Sequence, residues 1–139
     1  MIGHREQSNK DVVRRFNEEC ISNGSRAAFE QLVTPDFVDH TAPPGGESAQ
    51  GMAHFIFDVL RVAIPNLAVE IYDQIAERDT VTTRKVFRGT FTGDLLGLAA
   101  TKKPIEIDVI DIIVVRDGRL AEHWGMNTFM QAARAEDAR

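Results

Sequence analysis

The chain reads as an α+β protein, with helices first and sheet second, on three observations. Apolar residues recur at helical spacing as far as Ala63, the period drops to two after Pro65-Asn66, and no regular alternation of strand and helix follows. That order predicts three N-terminal helices laid over one face of a strongly curved antiparallel sheet.

The first helix is expected from Asn9 to about Ser22, with Val12, Val13, Phe16 and Cys20 on one stripe and Ser8 and Asp11 in a capping arrangement. Gly24 ends it, and Ser25 caps a short second helix bearing Ala28, Phe29, Leu32 and Val33. Pro35-Asp36 turns the chain into a short extended piece, Phe37 to His40. After a loop rich in proline and glycine, Met52, Phe55, Ile56, Val59, Leu60 and Ala63 mark the third helix. Four strands follow: Leu67 to Ile71, Val81 to Phe91, Ile105 to Val115, and Leu120 to Met126 after the Asp117-Gly118 turn. The ends, Met1 to Gln7 and Ala133 to Arg139, read as frayed.

Composition excludes several functions. The 139 residues suit one domain, residues 1–139 with a core of about 9–130, large enough to bury roughly two thirds of its unfolded surface. A net charge of −5 and scattered basic residues argue against nucleic acid as a partner. No apolar run approaches the ~20 residues that span a bilayer, so no membrane partner is expected. The single cysteine, Cys20, precludes an internal disulfide, and with no signal peptide visible the expectation is a cytoplasmic protein. His4, His40, His54 and His123 lack metal-ligand spacing, and no phosphate loop, dinucleotide fingerprint or serine elbow is present. Neither metal nor cofactor is expected.

Chemistry concentrates on one strand. Ile105, Ile107, Val109, Asp111, Ile113 and Val115 share a side, and that side must face the interior. A carboxylate placed there loses hydration, which raises its pKa and suits proton transfer. The competing reading is a structural carboxylate answered by Arg84 or Arg88 from the neighbouring strand. His40 is positioned either to exchange protons at a pocket mouth or to bond a loop carbonyl. His123 and Trp124 alternate, so one of them enters the interior and the other faces outward. Arg84 and Arg88 share a row with Val86, and Tyr72 is the sole phenol.

Four stretches together carry a likeness: Phe37-Val38-Asp39-His40-Thr41-Ala42-Pro43-Pro44-Gly45, Ile64-Pro65-Asn66-Leu67, Arg88-Gly89-Thr90-Phe91-Thr92-Gly93 and Asp117-Gly118-Arg119-Leu120-Ala121-Glu122-His123-Trp124. In order and spacing they resemble the SnoaL-like polyketide cyclase (ester cyclase) family over about residues 9–130. The resemblance implies the cone-shaped α+β barrel of the nuclear-transport-factor-2-like superfamily, a bent sheet around an apolar pocket. Aromatic polyketide cyclases of this kind carry an acid/base aspartate about four residues after the tryptophan; here that position is Thr128. Where they tend to carry a histidine on the preceding strand this chain has Asp111, and Phe91 replaces the histidine many members carry in the glycine-threonine stretch.

Two functions follow as expectations. One is a cofactor-free acid/base enzyme acting on a small, mostly apolar carbonyl, ester or epoxide compound, with Asp111 and His40 as catalytic groups. Substrate contacts are then expected from Trp124, Arg84, Phe91, His123, Tyr72 and Phe55. The other is a non-catalytic small-molecule binding protein of the same fold. Either way a homodimer is expected, because short helices cannot cover both faces of four long strands.

Overall fold

The structure, a computed structural model, describes residues 3–137. Helix α1 (His4–Arg15) runs without a break into a π-helical stretch, Phe16–Ser22, and α2 (Arg26–Leu32) follows. Ser25 caps α2 by accepting from the Ala28 amide, as its sequence position predicts. The third helix is built from α3 (Ala49–Ala53), a π-helical stretch His54–Leu60 and α4 (Arg61–Ala63). It starts on a serine cap as well, with Ser48 accepting from Gly51.

The sheet contains β1 (Val33–Asp39), β2 (Ala68–Glu77), β3 (Thr80–Thr90), β4 (Pro104–Arg116) and β5 (Arg119–Asn127), in the order β1-β5-β4-β3-β2. The last four pair antiparallel, as expected. β1 differs: it lies parallel to β5, so the short extended piece is a full fifth strand on the sheet edge. Its partner lies over 80 residues away in sequence, and local pattern carries no information about such pairing. Asp117 and Gly118, at φ 52° and 76°, make the tight β4–β5 turn with the primed geometry that matches strand twist.

Register shifts in β1, in β2 between Ile71 and Asp73, and where β5 meets β4 at Val114 and Val115 mark the bulges that bend the sheet. The concave face takes the helices. Ile105, Ile107, Val109, Ile113 and Val115 are buried there against Val13, Phe16, Cys20, Phe29, Ile56 and Leu60.

Both ends depart from the expected fraying. α1 begins at His4, and a further helix, α5 (Phe129–Asp137), packs on β4 with Phe129 and Ala133 buried. Residues 1–2 and 138–139 lie outside the described residues. Phe91 is fully buried and meets Phe129 edge-on, their ring centroids 5.6 Å apart, which makes this aromatic the anchor of α5.

Candidate active site

Register alone brings the polar residues of the concave face together. Thr83 pairs with Asp111, Asp111 with Gly125, Ile113 with His123, and Asp39 with His123 across the parallel edge. Lys85 and His123 thus stand one step diagonally from Asp111, within reach of long side chains.

Lys85 Nζ lies 2.7 Å from Asp111 Oδ2 and donates to Asn17 Oδ1 at 2.6 Å. Asn17 is held in turn by donating its Nδ2 to Val13 O at 2.9 Å, from the π-helical turn that swings it toward the sheet. On the other side, His123 Nε2 is 3.9 Å from Asp111 Oδ2, too long for a hydrogen bond but close for charge. His123 Nδ1 donates to Asp39 Oδ1 at 2.9 Å, and that oxygen also accepts from the amide and hydroxyl of Thr41. Thr41 Oγ1 accepts from Gly125 N at 2.9 Å, which closes the chain of contacts. Gly125 is required for space: a Cβ there would come within 2.8 Å of His123 Cε1.

The charges alternate: Lys85, Asp111, His123, Asp39. Burial pushes the Asp111 carboxyl up, but the adjacent Lys85 ammonium and His123 outweigh it, so the group sits below its ordinary value. The raised pKa expected for Asp111 is therefore corrected. The cation that answers it is Lys85, not Arg84 or Arg88. Burial works on Asp39 in the same way, and His123 with Thr41 reverses it to a lowered value. For His123, burial favours the neutral ring, yet the Asp111 and Asp39 carboxylates together raise it. With His123 protonated the buried cluster is charge-neutral; with it neutral an anion would remain uncompensated, which explains the direction.

The other predicted residues fall elsewhere. Arg84 Nε bonds Asp73 Oδ2 at 2.7 Å and stacks over Tyr72, whose hydroxyl accepts from Arg88 at 2.9 Å. Arg88 also pairs with Glu70 and Glu106. All belong to the exposed convex face. Trp124 is on that face too, paired with Ile112, so His123 is the one of the two that turns inward. His40 stacks on Trp124 with centroids 4.4 Å apart and sits 2.9 Å from Glu122 Oε1, away from Asp111. Phe55 is exposed on the third helix. A groove of about 310 Å³ between α2, the start of β1 and α3 contains none of the predicted site residues.

Lys85, Asn17 and Asp39 were not anticipated from sequence. A signal existed for two of them. Val81, Thr83, Lys85 and Phe87 form the second row of β3, and Asp39 stands in the same Val-Asp-His stretch as His40.

A five-stranded curved sheet with helices on its concave face, and a buried polar cluster on that face, defines an NTF2-like α+β fold. The chain belongs to the SnoaL-like polyketide cyclase family, whose model matches residues 11–135. A protein from Bacillus cereus ATCC 10987, provisionally named a polyketide cyclase, superimposes with a TM-score of 0.81 at 27% identity, over 98% of this chain and 85% of that one. A provisionally named SnoaL-like polyketide cyclase from Jannaschia sp. CCS1 gives 0.86 at 21% identity, over 100% and 98%. An LEH-like epoxide hydrolase from M. tuberculosis shares the fold at 0.68 and 13% identity, over 94% and 90%. Comparison with curated proteins finds no match. Among the described residues no helix is long and apolar enough to cross a membrane.

Proposed function

We propose that this chain, acting as one domain, is a cofactor-free acid/base enzyme for a small, mostly apolar carbonyl compound, with His123 as proton donor and Asp111 as base. The observation that carries the reading is His123 held between two carboxylates on the concave face, its Nδ1 tied to Asp39 and its Nε2 without a hydrogen bond among the described residues. An imidazolium so oriented can donate to a developing oxyanion. Asp111 has one oxygen fixed by Lys85, so Oδ1 is the oxygen that receives the proton the substrate gives up. An aspartate serves as base opposite an oxyanion donor in ketosteroid isomerase; here Lys85 and His123 hold the Asp111 carboxyl below its ordinary value, which keeps it deprotonated and able to accept. Aldol-type ring closure and isomerisation both use this pair. His40 has no part in it.

A second reading, a binding protein that turns nothing over, is favoured by Thr128. At the position where related cyclases carry their aspartate, its hydroxyl accepts from the Asp108 amide and its own amide donates to Asp108 O, so it is committed to the backbone. The test is turnover by wild type, H123N, D111N and H40A on a panel of carbonyl, ester and epoxide compounds. Loss in H123N and in D111N, each shown by thermal melts to be folded at the assay temperature, with retention in H40A supports the enzyme. Ligand binding without turnover supports the second reading.

We further propose a homodimer formed through the convex face, where Ile75, Ile110, Ile112, Trp124 and Met126 are exposed on adjacent strands. A reducing cytoplasm suits the buried Cys20, whose thiol burial pushes up to about 12.

A further inference from the structure

Two polar atoms on the concave face have nothing to bond. Thr83 Oγ1 and Asp111 Oδ1 are buried, belong to residues paired directly across β3 and β4, and have no hydrogen-bond partner among the described residues. Thr83 is fully buried and Asp111 is 3% exposed. Their row neighbours Val81, Val109 and Ile113 are apolar, and Lys85 is committed to the other carboxylate oxygen and to Asn17. On the far side of Asp111 stands Gly125, whose side-chain space is taken by the His123 ring. Leaving two buried polar atoms unpaired on directly paired residues is costly, so the arrangement calls for an occupant.

The chemistry of the two atoms selects it. A carboxylate oxygen only accepts, while a threonine hydroxyl both donates and accepts. A carbonyl oxygen cannot donate to Asp111. An ammonium could donate to both, but it would add a cation to a cluster in which Lys85 and His123 already balance Asp111 and Asp39. A neutral O–H satisfies both atoms at once, donating to Asp111 Oδ1 and accepting from Thr83 Oγ1.

We infer that Thr83 is a specificity-determining residue: with Asp111 it forms a subsite for one hydroxyl group of the ligand. The inference deepens the acid/base reading and rests on it for placing the ligand on the concave face. The ligand is then a hydroxy-carbonyl compound, its carbonyl at His123 and its hydroxyl at Thr83.

The experiment compares diacetone alcohol with its deoxy counterpart, methyl isobutyl ketone, by titration into protein with isotope-labelled threonine methyl groups, read by NMR. Wild type should prefer the hydroxy-ketone by roughly tenfold to a hundredfold, the range for a hydrogen bond to a charged group. T83V, nearly isosteric and lacking the hydroxyl, should lose most of that preference, and T83S should keep it. Equal binding of both ketones would mean that a resident water alone fills the subsite, and would overturn the inference. So would a preference that survives T83V, or no response of the Thr83 methyl to either ketone. Because binding is the readout, the acid/base reading fails separately: a hydroxyl preference in a protein whose turnover survives H123N leaves the subsite standing and removes the mechanism.

Discussion

Lys85 Nζ lies 2.7 Å from Asp111 Oδ2 with both side chains almost wholly buried, 2% and 3% exposed, so each ion depends on the other. Removing one charge strands its partner. D111N or D111L should cost about 3–5 kcal/mol of stability, whereas K85M/D111L, which removes both ions, should fall far short of the sum of K85M and D111L. Urea denaturation of the four proteins in the double-mutant cycle measures this. An additive cycle would mean that the pair is uncoupled.

His123 and its carboxylates set the pH dependence of stability. The His123 pKa is raised, so its contribution is fully present below the unfolded imidazole value of about 6.5 and fades as pH rises through the higher folded value. Asp39 and Asp111 are lowered, so theirs are fully present above the unfolded value of about 3.9 and fade as pH falls through the folded values. Stability should therefore be greatest at roughly pH 4 to 6.5. H123N should flatten the alkaline limb, as thermal melts across pH will record.

Turnover should separate the two histidines. H123N is expected to lose about 10²- to 10⁴-fold in kcat, with activity in wild type falling on the alkaline side as the imidazolium deprotonates. H40A, which removes a ring stacked on Trp124 at the convex face, should leave kcat close to that of wild type, because the ring lies away from the reacting atoms. The reverse pattern would return the catalytic role to His40.

Gly125 makes room for the His123 ring, and G125A tests that fit. The added methyl would come within 2.8 Å of Cε1, forcing the ring away from Asp39 or the strand away from β4. The expected result is a downward shift of the His123 pKa in an NMR titration, with the protein still folded. An unchanged titration would show that the ring tolerates the methyl.

The convex face should be the dimer contact. Ile110 and Met126 pair across β4 and β5 and are 51% and 77% exposed, so I110E/M126E should give a monomer by sedimentation equilibrium, with its turnover chemistry intact. A wild-type monomer at micromolar concentration would end this proposal.

The order of elements was legible in the sequence because it rests on local periodicity. The switch from helical to alternating pattern at Pro65, the Ser25 cap and the Asp117-Gly118 turn all depend on neighbours a few residues apart. The inward row of β4 was equally legible, since alternation along a strand assigned Asp111 to the apolar side before any partner was known. α5 escaped notice because its amphipathic pattern lies in a short, charged end whose helicity depends on Phe129 docking against Phe91.

What tertiary structure decided was which charges meet. Alternation places Arg84 and Lys85 on opposite faces of β3, but only the pairing of Thr83 with Asp111 makes Lys85 the inward one. Only the parallel pairing of β1 with β5 sets Asp39 beside His123 and leaves His40 outside with Trp124. A carboxylate pKa follows the sum of burial and neighbouring charge, and those two effects oppose each other at Asp111. The sequence determined that Asp111 is buried; the register between strands determined that it is ionised, because it delivered the cation.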